Sequence, residues 1–353
     1  MTLQEIKEML KTEAYDFLRT DKHLGNRIMF LCLGGSHSYG TNIETSDVDI
    51  RGVTLDTTEC VLGLEHFEQR LDATTDTTIY SLSKFLDLVS NCNPNIIEML
   101  FCKPEHYLYV SPLGQILLDN RHLFLTKRAY HTFGGYAHAQ LNRLENAMAR
   151  DNEALTEQEV QTHISRSLKN CLQNCIEKFD FSEDQFKIYV DKYDKNYNKQ
   201  QDKLGTFGIF MDATFEKLPV AEFNSLLLEL SQVVRDFNSS VGQRNKKKDD
   251  LHLNKHMMHL IRLYIMCNEI LTTGDLHTYR ETEHDLLMDI RNGKYRSEDG
   301  KVTPEFYEML HNLETESKLG YDNSKLPKTV DKKEIYNKII LPIYSKTMFK
   351  EEN

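Results

Sequence analysis

The stretch from residue 34 to 52 reads GGSHSYGTNIETSDVDIRG, and it concentrates the residues best able to do chemistry. Gly35 and Ser36 follow an apolar run, ten residues intervene, and Asp47-Val48-Asp49 opens the next apolar segment. Glycine at 35 puts no side chain in the way of a phosphate, and Ser36 with its neighbouring backbone N–H groups can cradle a triphosphate. Alternation along a strand places Asp47 and Asp49 on one face, where two carboxylates can share one or two Mg²⁺ ions. A two-metal site needs a third carboxylate from a neighbouring strand. Asp76, at the start of a Thr-, Ile- and Tyr-rich segment, is the candidate, with Asp72 the runner-up. The chemistry this set suits is nucleotidyl transfer: in-line attack of an acceptor on an α-phosphorus, with pyrophosphate leaving. A Gly-Gly pair alone is ordinarily a turn, and Asp-x-Asp alone is ordinarily a solvated strand end. Their register with a strand, a turn and a second strand is what joins them into a site.

The elements that must hold these residues can be read from periodicity. Leu3, Ile6, Met9, Leu10, Ala14, Phe17 and Leu18 recur at helical spacing, and Ile28–Leu33 is a short buried strand that stops at Gly34-Gly35. Val48–Leu55 alternates as a second strand and Thr75–Leu82 as a third. Helices follow through Phe85, Leu86 and Val89 and through Ile96, Ile97 and Leu100. From about Leu113 the pattern becomes helical, in Tyr136–Met148, Glu157–Phe179, Ala221–Phe237 and Leu251–Leu271, with solvated loops expected at Asp191–Lys203 and Gly242–Asp250. The expected organisation is α+β: a mixed sheet with flanking helices over residues 1–110, then an all-helical domain over 111–353 that closes one side of the nucleotide cleft.

Composition narrows the function. The 353 residues carry 43 Lys and Arg against 54 Asp and Glu, a net charge of −11, which removes the bulk electrostatic attraction to nucleic acid but allows a local basic site. No apolar run is long enough to span a bilayer, and the charged, amphipathic N-terminus lacks a secretory h-region, so a cytoplasmic protein without membrane contact is expected. The seven cysteines include no Cys-x-x-Cys and read as reduced core thiols.

Gly35, Ser36, Asp47 and Asp49 at this spacing resemble the signature of the DNA polymerase beta-type nucleotidyltransferase superfamily. The fuller string Gly-Ser-His-Ser-Tyr-Gly with Ser46-Asp47-Val48-Asp49-Ile50-Arg51-Gly52 is similar to a prokaryotic and phage branch of it, some members of which are linked to RNA repair genes. Asn93-Pro94-Asn95 with Glu98, and a late helix with Lys255, His259 and Arg262, match further features of that branch. The resemblance implies Mg²⁺ (or Mn²⁺), an NTP donor with ATP favoured, metal ligation by Asp47, Asp49 and Asp76, and nucleotide contacts from Gly35, Ser36, Arg51, Lys255, His259 and Arg262. It leaves the acceptor open among an RNA end, a protein hydroxyl and a small molecule.

The remaining marked residues have two readings each. Arg51 can hold a phosphate or make a structural ion pair. His37 and Tyr39 can touch the nucleotide or be ordinary loop residues, and Asn93-Pro94-Asn95 is most simply a turn and N-cap for the helix carrying Glu98. Lys255, His259 and Arg262, spaced four and three apart, share a helix face that can offer positive charge to the β- and γ-phosphates. His252, His256 and His259 share that spacing and could instead bind Zn²⁺. Arg244–Lys248 (RNKKK) can grip an RNA end or form a solvated loop. A non-catalytic nucleotide sensor or antitoxin-like partner on the same fold is the alternative to an enzyme. The intact Asp-x-Asp argues against it, because facing carboxylates repel each other without a metal. Metal-dependent ester hydrolysis lacks a recognisable water-activating set.

Overall fold

The computed structural model describes residues 1–148, 185–192, 207–241, 250–297 and 300–347. Two compact units divide the chain: Met1–Glu145 together with Asp250–Asn353, and Asn146–Asp249. The boundary expected near residue 110 does not separate them, because later segments pack back onto the sheet. Gly114, in the helix Pro112–Asp119, lies so close to the Met29 carbonyl that a Cβ would overlap it. Tyr344 donates to the buried Asp56 carboxylate at 3.1 Å.

The first unit is built on a five-stranded mixed sheet of β1 (Ile28–Leu33), β2 (Ile50–Thr54), β3 (Gln69–Asp72), β4 (Thr77–Ser81) and β5 (Tyr107–Val110), in the order β3-β4-β2-β1-β5. All six residues of β1 are buried, as its unbroken apolar run requires of a central strand covered on both faces. One face packs against the N-terminal segment through Ile6, Tyr15, Leu18 and Leu24, which meet Ile28, Leu31, Leu33, Ile50 and Ile79. On β1 Phe30 meets Phe85 edge-on at 6.0 Å, Phe85 belonging to the helix Leu82–Ser90. The strand expected at 28–33 is present with those bounds, and those expected at 48–55 and 75–82 are present with trimmed ends. β3 and β5 are additional short edge strands.

β2 and β4 run parallel, with Ile50 opposite Thr77, whereas β1 is antiparallel to both β2 and β5. The parallel register sets Asp49 beside Asp76 at the same end of the sheet, and the Ile50 N–H bonds the Asp76 carbonyl at 3.1 Å. The helices Asp250–Thr273, His284–Arg291 and Pro304–Asn323 complete the unit.

The later half is helical with one departure from the all-helical expectation. In the second unit β6 (Phe186–Lys192) and β7 (Phe207–Ala213) pair antiparallel, and the helix Val220–Val241 follows. Alternation in Phe186, Ile188 and Val190, and again in Phe207, Ile209 and Met211, carries the period of a strand. The dense Lys, Asn and Asp content just beyond Val190 reads as loop and hides it. The expected helix Glu157–Phe179, the RNKKK segment and most of the expected Asp191–Lys203 and Gly242–Asp250 loops lie outside the described residues. No helix among the described residues is long and apolar enough to cross a membrane.

Candidate active site

The site begins where β1 ends. Gly34 N–H bonds the Asp49 carbonyl at 2.9 Å, extending the β1–β2 ladder by one step, and the short helix Gly35–Tyr39 starts at once. Gly35 has φ +54°, and a Cβ there would overlap Asp49 Oδ2. The sequence must therefore place glycine at 35: the Asp49 carboxylate occupies the volume a side chain would fill. Ser36, His37, Ser38 and Tyr39 are all buried, and the helix ends at Gly40, φ +76°, where a Cβ would come within 2.5 Å of the Tyr279 ring.

Asp49 and Asp76 form the electrostatic centre. Their carboxyl groups are close enough to act on each other, and Arg51 Nη2 donates to Asp49 Oδ1 at 3.1 Å while Nη1 donates to Thr78 at 3.0 Å. Burial first, then the hydrogen bond and charge of Asp76, push the Asp49 carboxyl up to about 6 from 3.8, against the opposing pull of Arg51 and Lys255. Two neighbouring carboxyl groups, one of them held above its usual range, mark a place that a cation can occupy in place of a proton. Asp76 has φ +46°, a left-handed conformation that Asp tolerates better than most residues. Asp72, the runner-up, accepts from Thr74 N, Thr75 N and Thr75 Oγ1, all at 3.0–3.1 Å, and so is taken up by the β3–β4 turn.

A pH dependence follows. Between the ordinary value of 3.8 and about 6 the folded protein retains a proton that the unfolded chain has released, so in chelator this group's contribution to stability falls as pH rises through that window. The loss is at most about 3 kcal/mol. Melting temperatures of wild type and Asp49→Asn should nearly coincide at about pH 4.5 and diverge, with the variant higher, by about pH 7. A difference that does not change with pH would contradict the raised Asp49 carboxyl.

Asp47 is exposed, and the expected alternation does not bring it onto the pair, because β2 pairing starts at Ile50 and Asp47 lies in the preceding loop. Among the described residues no three His, Cys, Asp or Glu side chains converge as a ready metal cluster. That applies to the triple-His face as well: His256 Nδ1 is 2.9 Å from Gln140 Oε1, and His259 meets the Tyr39 ring edge-on.

The late helix is close to this centre but not as one cationic face. Lys255 is exposed and close enough to act on the Asp49 carboxyl. Burial, then the charges of Arg262 and Lys255, hold His259 well below its usual range, so its imidazole is neutral at physiological pH. Arg262 points into the interior and is 2% exposed. Its guanidinium lies over the Tyr39 ring at 3.6 Å and donates to Glu98 Oε2 at 3.1 Å, while Tyr39 Oη donates to Glu98 Oε1 at 2.7 Å. Arg262, Tyr39 and Glu98 thus brace the Gly-rich segment from behind instead of facing a nucleotide. Asn93 N-caps the helix Pro94–Ile97 that leads into Glu98, accepting from Asn95 N.

Gly35→Ala should therefore do two things at once. The left-handed φ costs about 1–3 kcal/mol, and displacing Asp49 should abolish any activity that depends on it. Gly134→Ala is the control: its Cβ would meet nothing within 4 Å inside the helix Ala129–Met148, so it should raise stability by about 0.5–1 kcal/mol. Thermal unfolding of the two variants checks both signs.

A mixed sheet of this order with flanking helices, a glycine-serine turn after the first strand and carboxylates at the adjoining strand ends is consistent with a polymerase beta-like domain. Residues 6–169 match the model of RlaP, the RNA repair pathway DNA polymerase beta family, in agreement with the expected family resemblance over that stretch. A curated relative, the uncharacterized 38.9 kDa protein in the nrdC–mobD intergenic region of Enterobacteria phage T4, is 24% identical over 286 residues, covering 74% of this chain and 81% of its own. No solved structure matches the chain.

Proposed function

We propose that the protein is a divalent-metal-dependent nucleotidyltransferase that transfers an NMP from an NTP, with ATP the favoured donor, to an acceptor hydroxyl or phosphate and releases pyrophosphate. The observation that carries this reading is the Asp49–Asp76 pair, set side by side at the starts of two parallel strands, with the Asp49 carboxylate pressed onto a glycine that leaves the strand end open. The family match over residues 6–169 supports the same class.

The donor set suits a hard cation such as Mg²⁺ or Mn²⁺: oxygen ligands only, with two carboxylates whose mutual repulsion the cation would relieve. Asp49 and Asp76 would hold it, and Asp47, solvated and two residues upstream, is free to join them. When bound, such an ion stabilises negative charge developing on the transferring phosphoryl group. The chain's own contributions are positional. Gly35 keeps the approach to the strand end clear, and Ser36 lies in the helical first turn, whose N–H groups have no side-chain cap. Arg51 fixes the Asp49 carboxylate through one N–H and is anchored on Thr78 through another. Asp76 would accept the acceptor's proton as the hydroxyl attacks.

Incubation with each α-labelled NTP, Mg²⁺ and, separately, RNA ends, protein and the small-molecule fraction of a cell extract tests this reading. Covalent label in one class that disappears in Asp49→Asn is the expected result. NTP binding with no labelled product in any class would favour the nucleotide-sensing alternative.

A further inference from the structure

The five-stranded sheet has two edges, and they are built differently. At one edge β3 reads Gln-Arg-Leu-Asp, with Arg70 3.8 Å from the Asp21 carboxylate, and charges of this kind keep an edge from pairing with another chain. At the other edge β5 reads Tyr-Leu-Tyr-Val and carries no charge. β1 pairs with β5 on one side, and among the described residues no backbone group bonds β5 on the other. The Ser111 N–H turns inward to the Met29 carbonyl at 2.8 Å, so the alternation of an antiparallel ladder aims the N–H and C=O of Val110 outward.

Both faces beside this edge are hollow. The register of β1 with β5 slips between Leu31 and Cys32, which puts Leu108 and Tyr109 on one face and Tyr107 and Val110 on the other. Leu108 packs with the N-terminal core, whereas Tyr107 meets Phe30 edge-on at 6.1 Å. Leu108 and Tyr109 line a cavity of about 540 Å³ with Leu10, Leu18, Ile28 and Leu31. Tyr107 and Val110 line a cavity of about 940 Å³ with Phe101 and Leu118. A strand added to β5 alternates its side chains between the two faces, and each cavity can receive every second one. Main-chain hydrogen bonds then hold the added strand, and the cavities select its side chains.

Charge indicates which strand fits. Lys7, Lys11 and Arg19 line the smaller cavity with a single carboxylate, Glu8. Glu8 pairs with Lys11, and Arg19 with Asp16, whereas the exposed Lys7 has no carboxylate partner among the described residues. Screening over about 8 Å at physiological ionic strength makes this rim the field that a docking segment meets, in place of the net charge of −11 on the whole chain. A second copy is the poorer match. Edge-to-edge pairing of two β5 strands about an axis normal to the sheet sets both basic rims on one face and supplies no acid.

We propose that β5 is a strand-addition site for an extended peptide of a partner protein, whose aliphatic or aromatic side chains enter the two cavities in alternation while a flanking Asp or Glu meets Lys7. No residue of this edge belongs to the Asp49–Asp76 site, so the proposal stands apart from the transferase reading.

An array of capped octapeptides, with six central positions drawn from Val, Ile, Thr and Tyr between terminal Glu residues, tests it against the full chain. The same array with terminal Lys is the counterpart. Members that bind are titrated by fluorescence anisotropy with wild type, Lys7→Glu and Val110→Pro. Proline at 110 removes an outward N–H that the ladder to β1 does not use. Glu-flanked members should bind, and both variants should weaken them by about tenfold or more. Methylating alternate backbone nitrogens of the tightest peptide, in each of the two phases, probes the same bonds with the protein unchanged. One phase should keep the affinity and the other should lose it. An array in which no member binds, a preference for terminal Lys, or equal affinity of the two methylated phases would overturn the proposal. So would a dimer in sedimentation equilibrium that Val110→Pro dissolves, because the edge would then belong to a second copy.

Discussion

Asp49→Asn and Asp76→Asn should each reduce nucleotidyl transfer by about a thousandfold or more, equivalent to roughly 4 kcal/mol of lost transition-state stabilisation. Neither change should unfold the protein. Each removes one of two carboxyl groups held together in a half-buried setting, so the repulsion that adds to burial in raising the Asp49 carboxyl to about 6 disappears with it. In chelator the Asn variants should melt at or above the wild-type temperature. Adding Mg²⁺ should stabilise the wild type and leave the variants behind. Asp47→Asn separates the roles: its carboxylate is solvated, so activity should fall without the gain in metal-free stability. Asp72→Ala should affect only the β3–β4 turn, where its carboxylate holds Thr74 and Thr75, and transfer should persist. Turnover at wild-type rates in both Asp49→Asn and Asp76→Asn would remove the basis for the site.

Arg262→Ala is expected to act on stability first, by about 3–5 kcal/mol, the scale of breaking a buried ion pair and leaving one charge unmatched. Glu98 would then keep only the Tyr39 hydroxyl on its carboxylate, in a setting where it is 7% exposed. Tyr39 would lose the guanidinium that lies 3.6 Å from its ring centre. Because Tyr39 closes the helix that begins at Gly35, the damage should reach the Gly-Ser turn. Glu98→Gln should cost less, since an amide oxygen can still accept from Arg262, though without the opposing charge. Chemical denaturation of the three proteins, read as midpoint and slope, checks the order. An Arg262→Ala protein with wild-type stability and weakened ATP affinity would instead return this residue to the nucleotide face.

Much of the sheet was legible in sequence because period-two and unbroken apolar runs bounded by Gly and Asp leave little choice. β1 is the clearest case, with all six residues buried. The short edges β3 and β5 escaped notice because four residues, with a single apolar side chain in β3 and no apolar-polar alternation in β5, carry almost no periodic signal. The pairing of Asp49 with Asp76 was readable only to the extent that adjacent strand starts could be guessed. Parallel register, which sets Ile50 opposite Thr77, is a property of the assembled sheet.

Asp47 shows the limit of the alternation argument: alternation holds inside a ladder, and this residue lies before the ladder begins. Arg262 was misplaced for a different reason. Helical spacing shows which residues share a face but not which face is buried, and Lys255 and Arg262, seven residues apart, diverge into solvent and interior. A signal was nonetheless present. Arg262 is flanked by Leu260, Ile261 and Leu263, and Glu98 by Ile96, Ile97, Met99 and Leu100. A lone charge of each sign inside an apolar run calls for a buried partner of the other sign.

The most direct test of nucleotidyl transfer is to run parallel reactions with ATP labelled at the α- or the γ-phosphorus, in Mg²⁺ with acceptor-rich extract, for wild type and Asp49→Asn. The account predicts that α-label becomes covalently attached to the acceptor, that γ-label is recovered in pyrophosphate, and that both signals vanish in the variant. Label from the γ-position on the acceptor, or its release as inorganic phosphate with no α-label transferred, would contradict it.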